Sequence, residues 1–272
     1  MTAPNTAGSP RPTFRHLALL VLIGVIGGTF SGALGVGGGV IMVPLLLTLL
    51  DFDPRRAAAT SLAAIIPSSI AGAITYGVAG HTDLIAAAVI AAAGIAGTLV
   101  GTRLLRTLPL GWLRWGFIAL LLLIAVRMFF VIPVRGEALD MTPGTIAGLV
   151  VLGLVIGVAS GLFGIGGGVI IVPVLVALFG VSDLIAKGTS LLAVVPISIV
   201  GSIANLRSRL MRPLDGVVIG IAAVAASFGG AAIAFALPPM VSSIVFAIFV
   251  TVVAIQLIVR ALKQRRAARD AA

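Results

Sequence analysis

Residues 31–44 read SGALGVGGGVIMVP, and residues 160–173 read SGLFGIGGGVIIVP. Each copy lies in apolar sequence of helical length, where a glycine cluster weakens a helix. Each ends at Val-Pro. The offset between the copies is 129 residues (Ser31 to Ser160), and it holds without a gap beyond the motif. Gly24, Gly28 and Gly32 fall on Gly153, Gly157 and Gly161; Thr60-Ser61-Leu62 falls on Thr189-Ser190-Leu191. Pro67 matches Pro196, and Ser69-Ile70 matches Ser198-Ile199. So many coincidences at one spacing mark a chain built from two copies of one unit.

The composition says where such a chain lives. Of 272 residues, 60% are hydrophobic and 10% charged, against about 25% charged in ordinary soluble domains. Apolar runs of roughly 20 residues, enough to cross a ~30 Å hydrocarbon core, recur throughout. The expected fold class is an all-α polytopic membrane protein. The net charge of +10 comes from loops and tails, which suits anionic lipid headgroups better than nucleic acid. There is no cysteine, which excludes disulfides, thiol chemistry and cysteine metal sites. Only His16 and His81 offer imidazole, and both lie near the ends of apolar runs. No cofactor and no metal site is expected. The run after His16 has no signal-peptidase pattern and reads as a retained helix.

Ten apolar segments are expected, at 16–34, 39–50, 57–79, 84–105, 112–132, 144–163, 168–180, 184–205, 214–237 and 240–260. The polar connection 133–143 separates a first repeat, 1–132, from a second repeat with a basic tail, 144–272. With a cytoplasmic N-terminus and reversal at every segment, 15 of the 18 Lys and Arg residues face the cytoplasm. Arg127, Arg135 and Lys187 are the three on the other side. That bias fixes the expected orientation, with both termini cytoplasmic. Five segments is an odd number, so the second unit enters the membrane from the opposite face. Two inverted repeats related by an axis in the membrane plane are an architecture of secondary transporters.

The second and seventh segments hold about a dozen residues, or ~18 Å of helix, too short to cross alone. Each forms a helical hairpin with the segment before it, with its glycine tip inside the membrane. Irregular backbone persists there only when buried in protein or lining a polar cavity. Glycine admits positive φ and leaves N–H groups uncovered. The helix that follows points unpaired N–H groups and its positive dipole end at the tip, which forms an anion site without a charged side chain. Gly37, Gly38, Gly39, Gly166, Gly167 and Gly168 are therefore candidate substrate-binding residues. Gly24/Gly28/Gly32 and their mates are spaced four apart on one face and read as helix-packing contacts. The glycines do not form a dinucleotide loop: the third glycine of GxGxxG is missing and no strand precedes them.

The third and eighth segments add matched polar groups around a helix-breaking proline. Thr60, Ser61, Ser69, Thr189, Ser190 and Ser198 are candidates to line the site, although hydroxyls also serve freed backbone carbonyls there. Asn205 is a further candidate, and Tyr76 holds the matching position in the first unit. No Asp, Glu, Lys or Arg is expected in the middle of a segment. Asp83 and Asp215 read as helix N-caps.

These paired GxGGGxIxVP and TSLxxxxPxSI motifs resemble the TauE/SafE family, also called the sulfite-exporter or toluene-sulfonate-uptake-permease family. The resemblance runs from about residue 17 to 260. It implies a bacterial inner-membrane permease for small anions such as sulfite, sulfonates and related organosulfur or carboxylate compounds. The expected function is secondary transport by alternating access, with the bilayer and a small anion as partners. A passive anion channel is the alternative. An enzyme is not expected, since acid–base and metal chemistry lack their usual residues. Substrate, direction, coupling and oligomeric state stay open, a homodimer included.

Overall fold

The computed structural model describes residues 14–109 and 139–238, with a subset of helical residues within 111–126 and 240–262. Among the described residues the chain is helical throughout, with no strand. Eight helices are described in full: α1 (Phe14–Leu34), α2 (Gly39–Leu49), α3 (Pro54–Val78), α4 (Leu84–Thr107), α5 (Pro143–Phe163), α6 (Gly168–Phe179), α7 (Asp183–Arg207) and α8 (Pro213–Ala236). The expected segments at 112–132 and 240–260, most of the 133–143 connection and the basic tail fall wholly or partly outside the described residues. Among the described residues, six helices are long and apolar enough to cross a membrane; α2 and α6 are short apolar ones, with 11 and 12 residues. Val21, Val25, Ile74, Val155 and Ile221 are exposed on the outer faces of long helices, as a lipid environment requires.

Helix boundaries follow local chemistry. Asp53 caps α3 by accepting the Arg55 and Arg56 N–H groups, with Pro54 at the first helical position. Asp83 caps α4 through the Ala86 N–H, as expected. Asp215 departs from expectation. Arg212 occupies the N-cap of α8, and Asp215 lies in its first turn, 2% exposed.

The packing repeats as the sequence does. α1 packs along α8, and α4 packs along α5; α8 and α4 also pack on α3 and α7 respectively. These pairs exchange halves under the 129-residue offset. Gly24, Gly28 and Gly32 run against Ile219, Ala223 and Ser227, while Gly153, Gly157 and Gly161 run against Ile90, Gly94 and Thr98. Added methyl groups on these glycines would strike the neighbouring backbone, so they are close-approach residues. α3 and α7 lie at the centre and cross antiparallel: Gly72 meets Leu191 and Gly201 meets Leu62. These two helices are mates under the offset, and they run in opposite directions.

α1 with α2, and α5 with α6, fold back as hairpins. His16 at the open end of the first stacks on Phe52, 6.3 Å between ring centroids. Gly148 at the open end of the second lies beside the Phe179 ring. At the His16 end, Asp215 accepts from Arg56 Nη2 at 2.8 Å and pairs with His16 Nε2 at 3.2 Å, tying α8 to α3 and α1. The Arg56 guanidinium also lies 3.8 Å over the Phe52 ring. Arg55 donates to Leu108 O beyond the end of α4, so Arg15, Arg55, Arg56, Arg103 and Arg106 share this end. α7 ends here too, with Arg207.

Candidate functional site

The two glycine tips meet each other. A Cβ on Gly39 would lie 2.7 Å from Gly164 O and Ile165 Cα, and one on Gly168 would lie 2.6 Å from Val36 Cα. Gly37 and Gly166 both face Ile65 and Val194. Ile65 is the twelfth residue of the 25-residue α3, and Val194 the twelfth of the 25-residue α7. The tips therefore sit halfway along the two central helices.

Consecutive glycines are needed because each faces a different obstacle. Gly37 (φ 74°) and Gly166 (φ 73°) turn toward the central side chains, with Ser69 Oγ 3.3 Å from the Cβ position of Gly37. Gly38 (φ 80°) and Gly167 (φ 92°) are the N-caps of α2 and α6 and abut Gly27 and Ile156 of their own hairpins. Gly39 and Gly168 abut the opposite tip. The left-handed φ at the first two positions disfavours any residue with a Cβ. Neither cap carries a side-chain hydrogen bond. The first amides tied back to the caps are Ile41 and Met42 to Gly38 O, and Ile170 and Ile171 to Gly167 O. The N–H groups of Gly37 to Val40 and Gly166 to Val169 donate to no group among the described residues. Two helix N-termini with free donors thus converge at one buried place.

The hydroxyls divide into two roles that sequence alone does not separate. Ser61 Oγ donates to Gly164 O at 2.9 Å, and Ser190 Oγ to Gly35 O at 2.8 Å. Each half thereby fixes the tip of the other, and these two hydroxyls act as positioning groups. Thr189 Oγ1 accepts the Asp83 N–H at 2.9 Å, anchoring the start of α4. Thr60, Ser69 and Ser198 are fully buried, and their hydroxyls have no hydrogen-bond partner among the described residues. Asn205 is fully buried, with both amide atoms in the same condition. Ser31 and Ser160 join this set. They stand inside the repeated motif, at Ser-Gly, and matched hydroxyls at the foot of each glycine tip were the available signal. Buried polar atoms lacking partners are uncommon and call for an explanation.

One charged pair is buried near the start of the eighth expected segment. Lys187, counted from sequence with the outer connections, lies in the second turn of α7 and is 1% exposed. Its Nζ is 2.6 Å from Asp183 Oδ2. Gly35 of the first tip lies against its stem, with Lys187 Cα and Cβ each 2.6 Å from the glycine's Cβ position. The i,i+4 spacing of Asp183 and Lys187 was the legible sign. Sequence places Lys187 inside the 184–205 segment and counts it on the outer side, since a lone cation near a segment end ordinarily reaches the surface. Among the described residues no group of His, Asp or Glu is arranged to hold a metal.

The comparisons agree with this architecture. The sequence matches the family "Sulfite exporter TauE/SafE" over residues 2–128 and 149–272, a split close to the two units. It is 25% identical over 226 residues to the probable membrane transporter protein YdhB of Bacillus subtilis, covering 82% of this chain and 92% of that one. A probable membrane transporter protein of Haemophilus influenzae is 28% identical over 271 residues, covering 91% of this chain and 100% of its own. Another, from Xylella fastidiosa, is 30% identical over 212 residues, covering 73% and 77%. No solved structure matches the chain. With two motif copies, six spanning-length helices among the described residues and this match along most of its length, the protein is a multi-pass membrane protein that belongs to the TauE/SafE sulfite exporter family of membrane transporters.

Proposed function

We propose that this protein is a secondary transporter of small anions such as sulfite, sulfonates or related organosulfur and carboxylate compounds. The anion binds between the glycine tips, at the N-termini of α2 and α6, and crosses by alternating access. The observation that carries this reading is the meeting of the two tips at mid-length of α3 and α7, with free backbone donors. The unpartnered Ser69 and Ser198 hydroxyls belong to α3 and α7, and those of Ser31 and Ser160 to the helices that lead into the tips. Oxyanions accept several hydrogen bonds at once, which suits converging neutral donors. The antiparallel crossing of α3 and α7 supports two inverted repeats, 1–132 and 144–272, with an axis in the membrane plane and the site on it. The arginine-rich end supports cytoplasmic termini in a bacterial inner membrane.

Purified protein in liposomes tests the reading. Sulfite, sulfate, taurine, sulfoacetate and short carboxylates are screened first for thermal stabilisation and then for flux. A transporter gives saturable uptake and exchange of internal against external anion, with accumulation when a gradient drives it. Non-saturating flux that only dissipates gradients would instead assign a passive anion channel. No stabilisation and no flux with any anion would remove the proposal.

A further inference from the structure

The two central helices are mates in sequence but not in polarity, and the difference lies along one face. From Lys187, successive turns of α7 present Ser190, Val194, Ser198, Ser202 and Asn205, spaced three or four apart. The first three of these contacts are with the tips: Lys187 and Ser190 against Gly35, and Val194 against Gly37 and Gly166. The next three, Ser198, Ser202 and Asn205, are buried, and none of their side-chain polar atoms has a partner among the described residues. The matching residues of α3 are Ser69, Ala73 and Tyr76. There the hydroxyl of Tyr76 donates to Gly32 O at 2.8 Å, and its ring packs on Phe235 at 5.0 Å. α3 is thus closed by a satisfied aromatic where α7 carries a bare amide.

Three buried, unpartnered polar groups in line are costly in an apolar interior. The cost is explained if they are hydrated or ligated in another conformation. Their line starts at the central site and ends two residues before Arg207, at the end that also holds Arg55, whose buried Nε has no partner among the described residues. We propose that this face of α7 is the inner half of the anion path. Ser198, Ser202 and Asn205 carry a small oxyanion between the glycine tips and the arginine-lined mouth, which concentrates anions by its positive field. The proposal rests on the anion-transport reading above but is tested by accessibility, not by flux.

The absence of cysteine makes every single-cysteine variant of the full chain its own reporter. Ser202→Cys and Asn205→Cys are placed in liposomes with water-soluble methanethiosulfonates, one anionic and one cationic, on both faces. Ile203→Cys is the control, since Ile203 is 47% exposed on the outer surface of the helix and faces lipid. We expect Ser202→Cys and Asn205→Cys to react at least about tenfold faster than Ile203→Cys, with the anionic reagent ahead of the cationic one. Ser202→Cys is nearly isosteric, so it decides the matter if Asn205→Cys folds poorly. Rates no greater than that of Ile203→Cys, in protein that still carries an anion, overturn the path and leave transport standing. Fast reaction in protein that carries no tested anion shows a water-accessible face of α7 but removes the transport reading and, with it, the anion path.

Discussion

Gly37→Ala and Gly166→Ala place a methyl group where the tips face the centre. The left-handed φ of 74° and 73° costs a residue with a Cβ about 1–2 kcal/mol. The new Cβ of Gly37→Ala would sit 3.1 Å from Ile65 Cγ2 and 3.3 Å from Ser69 Oγ, a tight fit that is relieved if these neighbours shift by a few tenths of an ångström. Both variants should therefore fold, with a melting temperature a few degrees lower. Binding should suffer more. An anion at about 100 times its Kd stabilises the wild type by about 2.7 kcal/mol. If the methyl displaces the anion from one or two charge-assisted backbone donors, a loss of about 2 kcal/mol corresponds to roughly thirtyfold in Kd. At the same concentration the stabilisation falls to about 0.9 kcal/mol, a third of its former size. The assay is thermal unfolding in detergent over an anion titration. Gly148→Ala is the control, because its Cβ would meet only the movable Phe179 ring, 3.0 Å away. It should lower the melting temperature while keeping the full ligand shift. Full ligand shifts and wild-type flux in both tip variants would refute the argument and send the site to Thr60, Ser69, Ser198 and Asn205.

Ser61→Ala and Ser190→Ala each leave a buried tip carbonyl, Gly164 O or Gly35 O, without its donor, and each should lower stability by about 1–3 kcal/mol. Equal effects from the two, read by thermal unfolding, are expected because the bonds are mates under the repeat. Lys187→Gln leaves the Asp183 carboxylate buried beside a neutral group and should destabilise by about 3–5 kcal/mol; Lys187→Gln with Asp183→Asn should recover most of that loss. If the double variant is no better than the single one, the 2.6 Å contact is not a coupled ion pair. For topology, Ala267→Cys and Ala138→Cys should be labelled from opposite faces of intact cells by an impermeant reagent, and labelling of both from outside would contradict the inverted arrangement.

Sequence by itself determined the helical class, the eight described helices to within three residues at each end, the two-unit construction and the hairpins broken at Gly37–Gly39 and Gly166–Gly168. These are local or self-referential properties. Run length reports membrane-spanning helices, consecutive glycines report backbone no other residue can follow, and an unbroken offset of 129 residues reports duplication. The tertiary structure alone decided what each polar group does. Ser61 and Ser69 are both plausible ligands in sequence, yet Ser61 is committed to a carbonyl 103 residues away, while Ser69 is left facing the tip. Asp215 reads as a cap until Arg56, 159 residues distant, and His16 are found closing on it. Lys187 reads as a surface cation until the first tip folds over its stem. A hydrogen-bond or charge partner is set by how helices cross, and periodicity along one helix carries no record of which residue of another helix will arrive there.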